Sequence, residues 1–375
     1  MKKIDIIATC TFGLESILKE ELIKLGYCNM ITQNGKIEFK GSIFDVARCN
    51  LWLRTADRVL IKIGNFTAVT FDELFEKTKA CSWEEWISKK AQFPIAKATS
   101  VKSTLFSKSD CQSIVKKAIV EKLKNKYKVQ WFDETEEQVP VFVSILKDQV
   151  TLSIDTTGIG LHKRGYRIKS NEAPLKETLA AALVYLSKWE ISRPFADPFC
   201  GSGTIVIEAA MIGKNLAPGL NRNFISEQWN ESIKAYEKAR EEAQTQINQE
   251  RFRLLGSDMD KRAVVLSKDN ARQAGVEDVV AFQKLNVEDF GSGNKYGVII
   301  TNPPYGERLL SKREVENLYR VMGKVFSGLD YWSYFILTGH LNFEQYFGKK
   351  ATKNRKLYNG NILTYLYQYY GKLPY

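Results

Sequence analysis

What most constrains this chain is the rhythm of its second half, where short apolar strands alternate with helices. RPFADPFCGSGT leads into IVIEAAMIG, and RFRLLGSDMD into KRAVVLSKDNARQAG. VVAFQKLNVEDF comes next, then KYGVIITNPPY with a helix after it, then YWSYFILTG. Repeated strand–helix units read as a doubly wound α/β sheet, because parallel strands need helical crossovers between them. In such sheets a ligand sits outside the carboxyl ends of the strands. Here four successive strand ends carry polar tips: the glycine turn DPFCGSGT at 197–204, the acid Asp258, the tip Asn286, Val287 and Glu288, and TNPPY at 301–305. The final ILTYLYQYYG alternates and predicts an antiparallel edge hairpin.

Upstream the texture differs. KIDIIATC reads as a strand, and ESILKEELIKLG places Ile17, Leu18, Leu22 and Leu25 at helical spacing with Gly26 as a stop. Short strands follow around 37–39 and 59–63. Between about 65 and 157 stand the helical FDELFEKTKA, the strand-like IAKATSVKS, the basic helix CQSIVKKAIVEKLKNKY, and the strands VPVFVSIL and DQVTLSID. These mixed units predict two small α+β modules, joined to the α/β part by the glycine-containing connection TTGIGLHKRGYRIKSNEAPLKE. A chain of 375 residues is long enough for two or three domains.

Composition removes several function classes. No apolar run approaches the roughly 18 residues of a membrane span, so none is expected. The N-terminal MKKIDIIATCTFGLESILKEEL reads as a strand and a helix rather than a signal peptide. The cysteines stand far apart, at 10, 28, 49, 81, 111 and 200, with no CxxC pair and with His162 and His340 as the only histidines. No zinc site is expected, and scattered thiols suit a reducing cytoplasm. The net charge of +12 favours a polyanionic partner.

The individual tips narrow the chemistry. Gly201 and Gly203 let the backbone approach a ligand and present N–H groups at a helix N-terminus. A GxGxxG dinucleotide fingerprint is incomplete here, and no GxxxxGK[ST] phosphate loop is present. Asp258 ends the second strand, where doubly wound folds place the acid that bonds a ribose hydroxyl pair. In dinucleotide folds that acid lies about 20 residues downstream of the turn. Here a loop and a long charged helix widen the gap. Asp260 fits the N-cap of the next helix, which frees Asp258 for a ligand. Prolines stop a strand because they lack the pairing N–H. Alone, NPPY is either a strand-terminating turn or a rigid polar and aromatic tip presented to something that reacts. Beside the other tips it reads as the second.

This constellation resembles class I S-adenosylmethionine-dependent methyltransferases that act on exocyclic nitrogens of nucleobases, whose hallmark is NPPY on the fourth strand. The longer series HKRGYR, APLKETLAAAL, DPFCGSGTIVIEAA, NLAPGLNR and TNPPYGERL looks like the THUMP-containing RNA guanine-N2 methyltransferases, the group that includes bacterial 23S ribosomal RNA enzymes. The resemblance implies a Rossmann-like class I methyltransferase domain at 158–375, with a mostly parallel sheet and an antiparallel edge strand. Before it would come an α+β ferredoxin-like module at 1–64 and a THUMP RNA-binding module at 65–157. It also implies the site. Leu175, Lys176, Glu177 and Thr178 would form a lip over the methionine end of the cofactor. Asp197, Cys200, Gly201, Gly203 and Thr204 would wrap the methionine and sulfonium. Asp258 would hold the ribose, Met259 would lie against the adenine, and Asn286 and Val287 would meet the adenine edge. The family often has Asp where Asn286 stands.

For the reaction, the Asn302 side-chain oxygen and the Pro303 carbonyl would accept the two hydrogens of the guanine amino group. Pro304 restricts the backbone of its predecessor and so fixes that carbonyl. Together the two acceptors aim the nitrogen lone pair at the methyl group, and Tyr305 stacks on the extruded base. Asn302 is neutral and is not read as a general base. Cys200 lies at the cofactor turn, away from the target strand, and reads as packing or cofactor contact.

Two acid-free clusters suit RNA phosphates: Lys163, Arg164, Arg167 and Lys169 in HKRGYRIK, and Lys349, Lys350, Lys353, Arg355 and Lys356 in KKATKNRK. Tyr166 could stack on a base, Arg308 could position the target strand, and the basic helix at 116–128 could add a third contact. The expected partner is therefore ribosomal or transfer RNA, with S-adenosylmethionine as cofactor, no metal and no membrane. The alternatives are a transfer RNA guanine-N2 enzyme, a DNA adenine-N6 methyltransferase and a non-catalytic RNA-binding or assembly factor. An NAD dehydrogenase is weaker, since the fingerprint is incomplete.

Overall fold

The computed structural model describes residues 3–167, 175–305 and 311–373. The chain divides into two compact units. The first comprises Met1–Cys10, Leu22–Leu161 and Arg222–Glu242, and the second comprises Thr11–Glu21, His162–Asn221 and Ala243–Tyr375.

The first unit is built on β1 (Ile4–Cys10), β2 (Ile31–Gln33), β3 (Lys36–Gly41), β4 (Ala56–Thr67), β5 (Ile95–Val101), β6 (Val141–Leu146) and β7 (Gln149–Asp155). They form one seven-stranded sheet in the order β2-β3-β1-β4-β7-β6-β5. Its neighbours pair antiparallel except β5 with β6. The stretch of chain up to β7 also holds helices α1 (Glu15–Lys24), α2 (Ile43–Trp52), α3 (Phe71–Lys79) and α4 (Lys108–Tyr127). The junction expected after residue 64 falls inside β4. That strand pairs with β1 through Ala56–Ile61 and with β7 through Leu60–Thr67, so the two expected α+β modules share one sheet.

A buried polar network closes this unit. The Asn50 side chain in α2 donates to the Thr156 and Tyr236 hydroxyls, both at 2.9 Å, and accepts from the Thr157 hydroxyl at 2.7 Å. The Tyr236 hydroxyl also shares a 2.8 Å bond with Ser226. Ser226 and Tyr236 lie in the charged stretch that follows the glycine turn in sequence, so this unit recruits a segment from the middle of the chain.

The second unit carries α5 (Glu177–Ser187), α6 (Thr204–Gly213), part of α7 (Ile233–Thr245), α8 (Lys261–Gln273), α9 (Lys312–Ser327) and α10 (Phe343–Phe347). Its strands are β8 (Phe195–Asp197), β9 (Leu254–Asp258), β10 (Val280–Lys284), β11 (Val298–Thr301), β12 (Ser333–Thr338), β13 (Lys353–Asn359) and β14 (Ile362–Tyr369). The sheet order is β10-β9-β8-β11-β12-β14-β13. Strands β8 to β12 pair parallel, while β14 runs antiparallel to β12 and β13, which is the expected edge hairpin. All four residues of β11, VIIT, are buried, as a parallel strand covered on both faces requires. Behind β11 and β12, Tyr319, Met322 and Phe326 of α9 pack with Phe343 and Phe347 of α10. The chain builds β8, β9 and β10 to one side and then returns to place β11 on the other side of β8. The switch point between β8 and β11 is where such a sheet opens a crevice for a ligand.

Replacing Asn50 with alanine would remove three buried side-chain bonds, leaving, among the described residues, the Tyr236 hydroxyl only its bond with Ser226 and the Thr157 hydroxyl only its bonds with Val59. The expected loss is about 1–3 kcal/mol, read as a lower urea midpoint by tryptophan fluorescence.

Candidate active site

The glycine turn is held from two sides. The Cys200 N–H donates to the Ser257 carbonyl at 2.9 Å, and the Gly201 N–H donates to the Asp258 carboxylate at 2.9 Å. The Asn270 side chain of α8 donates to the Ser202 carbonyl at 2.9 Å. Gly203 caps α6 at φ +83°, and a Cβ there would stand 2.9 Å from the Ser267 Cβ and 3.0 Å from the Phe282 ring. Gly203 is thus required by backbone and by packing alike. Gly201 has φ +52°, and a Cβ placed there would meet no atom of the described residues within 4 Å. One side of the turn is packed shut, and the other is open among the described residues.

Asp258 stands at the carboxyl end of β9. One carboxylate oxygen accepts from Gly201 N–H and the other from Asp260 N–H, both at 2.9 Å. Burial pushes its pKa up. Asp260 caps α8 by accepting from Arg262 N–H at 2.8 Å, as its position predicts, so Asp258 is not the cap. Met259 is 70% exposed beside it. Val287 is buried, while Asn286 is exposed and turns its side-chain oxygen to the Glu288 N–H at 3.4 Å.

β8 and β11 meet at a side-chain bond that sequence reading missed. The Thr301 hydroxyl donates to Asp197 Oδ1 at 2.6 Å, and Phe199 N–H donates to the same oxygen at 3.1 Å. Asp197 is 1% exposed, and burial pushes its pKa up to about 7, with Asp258 adding to the rise. Asn302 follows Thr301 directly, and its Oδ1 is buried with no hydrogen-bond partner among the described residues. Pro303 is buried. The Pro304 carbonyl accepts from the Tyr319 hydroxyl at 3.1 Å, and that hydroxyl shares a 2.9 Å bond with Thr338. Tyr305 is partly buried, and burial raises the pKa of its hydroxyl.

The expected lip residues come to the same side through Arg167. Its guanidinium donates to the Leu175 carbonyl at 3.0 Å and to the Thr204 hydroxyl at 2.8 Å, and pairs with Glu177 at 3.3 Å. Leu175, Glu177 and Thr178 are buried. Lys176 caps α5 without a side-chain bond. Glu177 faces Arg167, and burial raises its pKa. The Thr178 hydroxyl is buried with no partner among the described residues.

The first basic cluster is corrected by its surroundings. Arg164 pairs with Glu208 through two 3.3 Å bonds, Nε to one oxygen and NH2 to the other, with side chains 2% and 0% exposed. The Tyr166 hydroxyl donates to the same carboxylate at 3.2 Å, and burial drives its pKa well up. Neither side chain has a face for a phosphate or a base, and Arg167 is occupied inside the site. A carboxylate inside the apolar helix IVIEAAMIG was the available signal, because a buried acid needs a buried cation. In the second cluster Arg355 donates to the Gly13 carbonyl at 2.8 Å and to Ser16 at 3.0 Å, so it too is structural. Lys163, Lys349, Lys350 and Lys353 are exposed. Arg308 and Lys169 lie outside the described residues. Cys200 is buried, and its thiol pKa is pushed well up by burial, which leaves it a poor nucleophile.

A parallel sheet with an antiparallel hairpin edge, a glycine turn on its first strand and NPPY at the switch point define the methyltransferase class. Comparison with known proteins agrees. A family described as RMKL-like, methyltransferase domain matches residues 164–368, RlmL ferredoxin-like domain matches 5–60, and THUMP domain matches 68–155. The chain is 50% identical to the putative RNA methyltransferase YpsC of Bacillus subtilis, over 100% of this chain and 97% of that one. It is 33% identical to the ribosomal RNA large subunit methyltransferase K/L of Syntrophotalea carbinolica, over 96% of this chain but about half of that longer protein, 52%.

Among solved structures, SMU.472, a putative methyltransferase complexed with SAH, superposes with a TM-score of 0.94 at 45% identity, covering 100% of both chains. A Listeria monocytogenes protein titled a predicted N6-adenine-specific DNA methylase superposes with a TM-score of 0.94 at 51% identity, over 99% of this chain and 97% of that one. The chain belongs to the RMKL-like family of S-adenosylmethionine-dependent methyltransferases.

Asp197 yields a pH test. Its folded pKa of about 7 lies above the unfolded value near 4, so the native state holds the proton through that interval. The unfolded chain ionises in that interval while the native state does not, so stability falls as pH rises from about 4 to about 7. Asp197→Asn escapes that loss. Its ligand-free Tm should exceed wild type by a few degrees at about pH 8 and match it near pH 4, by differential scanning calorimetry. A gap that is constant with pH would contradict this assignment.

Proposed function

We propose that this protein transfers the methyl group of S-adenosylmethionine to the exocyclic N2 of a guanine in RNA, with 23S ribosomal RNA as the substrate and the cytoplasm as the place of action. The observation that carries the reaction is the Asn302 Oδ1, buried and without a hydrogen-bond partner among the described residues. A buried acceptor left unpaired costs about 1–3 kcal/mol, which an incoming amino group recovers. The cradle fits the cofactor by the same reasoning. Among the described residues the Gly201 side of the turn is open, and the Thr178 hydroxyl is a second buried group on the lip without a partner. When bound, S-adenosylmethionine supplies a methyl group already made electrophilic by its sulfonium.

The residues of the chain do the rest by positioning. Asp197 and Thr301 hold the two strand tips together, and Asp258 offers carboxylate oxygens to a ribose. Asn302 Oδ1 and the Pro303 carbonyl accept the two hydrogens of the amino group. They bend the nitrogen toward tetrahedral geometry and stabilise the positive charge it develops. Tyr305 stacks on the base, and the proton leaves to water after transfer. The THUMP match and the net charge of +12 support RNA over DNA, and the names of the K/L relatives support the large-subunit RNA. The exposed Lys163, Lys349, Lys350 and Lys353 are the phosphate contacts of this reading.

The deciding experiment compares RNA from cells with and without the protein. One guanine-N2 methylation should vanish from 23S RNA and return on adding the purified enzyme and labelled cofactor. A lost transfer RNA mark, or lost adenine-N6 methylation in DNA, would give the site to the rival substrate. Asn302→Ala should lower kcat by about 10²-fold or more, with calorimetric affinity for S-adenosylmethionine within a few-fold of wild type.

A further inference from the structure

We propose that Tyr319 is a positioning residue for methyl transfer: its hydroxyl, backed by Thr338, sets the direction of the Pro303 carbonyl by holding the carbonyl of the next residue. This rests on the reading of Asn302 Oδ1 and the Pro303 carbonyl as acceptors of the target amino group. It adds α9 and the end of β12 to the active site.

The direction of each hydrogen bond in this relay is fixed at both ends. The Pro304 carbonyl can only accept, so the Tyr319 hydroxyl donates to it, at 3.1 Å. That uses the single phenolic proton, so Thr338 is the donor in its 2.9 Å bond with Tyr319. The Thr338 hydroxyl in turn accepts from the His340 N–H at 3.1 Å. A backbone amide begins the relay and a backbone carbonyl ends it, and each link polarises the next. Tyr319 and Thr338 are both fully buried, so water does not compete for either hydroxyl. Burial also pushes the Tyr319 pKa up, which keeps the phenol a donor.

The end point of the relay is what gives it a function. The peptide between Pro303 and Pro304 is planar, and the Pro304 ring locks its own φ. The ψ of Pro304 is then the one soft torsion between the Pro303 and Pro304 carbonyls. Holding the second carbonyl sets that torsion and so aims the first. A simpler explanation is that a buried tyrosine needs some partner for its hydroxyl. Thr338 alone would meet that need. The ring packs edge-on to Phe343 at 4.9 Å and to His340 at 5.5 Å, contacts that a phenylalanine would make equally well. The bond to Pro304 is a second one, and it falls on the carbonyl coupled to Pro303 through a locked proline.

The test measures single-turnover transfer of tritiated methyl to total RNA from cells lacking the protein, at saturating RNA and cofactor, using the full chain. Tyr319→Phe removes the hydroxyl and keeps the ring. It should slow the saturated rate about tenfold, the upper worth of one hydrogen bond. The RNA concentration at half-saturation and the calorimetric affinity for S-adenosylmethionine should not change. Thr338→Val should slow transfer about two- to threefold, the lower end of that range. It should add nothing to Tyr319→Phe, because it acts only through that phenol. Thr338→Ser keeps the relay and should retain the wild-type rate. A bond that only stabilises the fold would lower the Tm of Tyr319→Phe and leave its saturated rate at wild type. That result overturns the proposal, as do losses that multiply in the double variant. If Tyr319→Phe fails to fold, Thr338→Val decides, and a wild-type rate there overturns the relay. Asn302→Ala separates the two readings. If its rate is unchanged, the acceptor role itself fails. If it collapses while Tyr319→Phe is normal, the acceptors stand and the positioning role falls.

Discussion

The bond between the Thr301 hydroxyl and the Asp197 carboxylate closes the seam on which the active site is built. It spans the switch point of the sheet, joining two strand tips 104 residues apart in sequence at 2.6 Å. Asp197 leads into the cofactor turn, and Thr301 is followed directly by Asn302. In the proposed reaction, moving either tip relative to the other changes the distance between methyl donor and acceptor, and misplacement by about 1 Å costs rate steeply. Holding a carboxylate at 1% exposure is unfavourable for the ionised form, and its raised pKa records that. Part of the folding energy of the α/β unit therefore goes into fixing two tips rather than into stability as such.

The charges beneath the site follow the same logic. Arg167 binds the lip through Leu175 and Glu177 and binds α6 through Thr204, so one planar cation sets the spacing between two segments that face the cofactor. Arg164 and Glu208 lie deeper and touch neither the glycine turn nor NPPY in any bond described. A buried pair of this kind contributes little net stability, because desolvation offsets attraction, yet loss of one partner leaves a naked charge. It serves as a register mark for the connection that brings Arg167 to its place three residues on.

The class of fold and the four strand tips were legible because parallel sheets impose them. Strand–helix alternation shows as hydrophobic period, and glycine, Asp258 and NPPY are forced onto loops where side chains are free to vary. The capping role of Asp260 was legible from its place before a helix. What stayed hidden depends on pairing across the fold. HKRGYR shows as an exposed basic cluster in sequence, yet burial of Arg164 and Tyr166 is decided by Glu208, some forty residues away. Thr301 belongs to no motif, and its role exists only once β8 and β11 lie side by side. β4 hid the sharing of one sheet by two modules, since the sequence shows a strand only around 59–63 while the strand itself runs from Ala56 to Thr67 across the expected boundary.

The same argument explains the charged stretch between α6 and β9. Read alone, it is a loop and a polar helix that lengthens the usual distance from glycine turn to ribose acid. In the fold, Arg222–Glu242 belongs to the first unit. Its polar residues are not solvent decoration. Tyr236 and Ser226 complete the network around Asn50 and Thr156, and Arg240 is bonded to the Arg222 carbonyl at 2.8 Å and to Glu227. Arg222 itself donates to the carbonyls of Gly160 and Ile159. Buried polar groups demand partners wherever in the chain they come from. The unit that begins the sequence is therefore finished only after the glycine turn has been made, and a boundary drawn by sequence order alone divides a single set of hydrogen bonds.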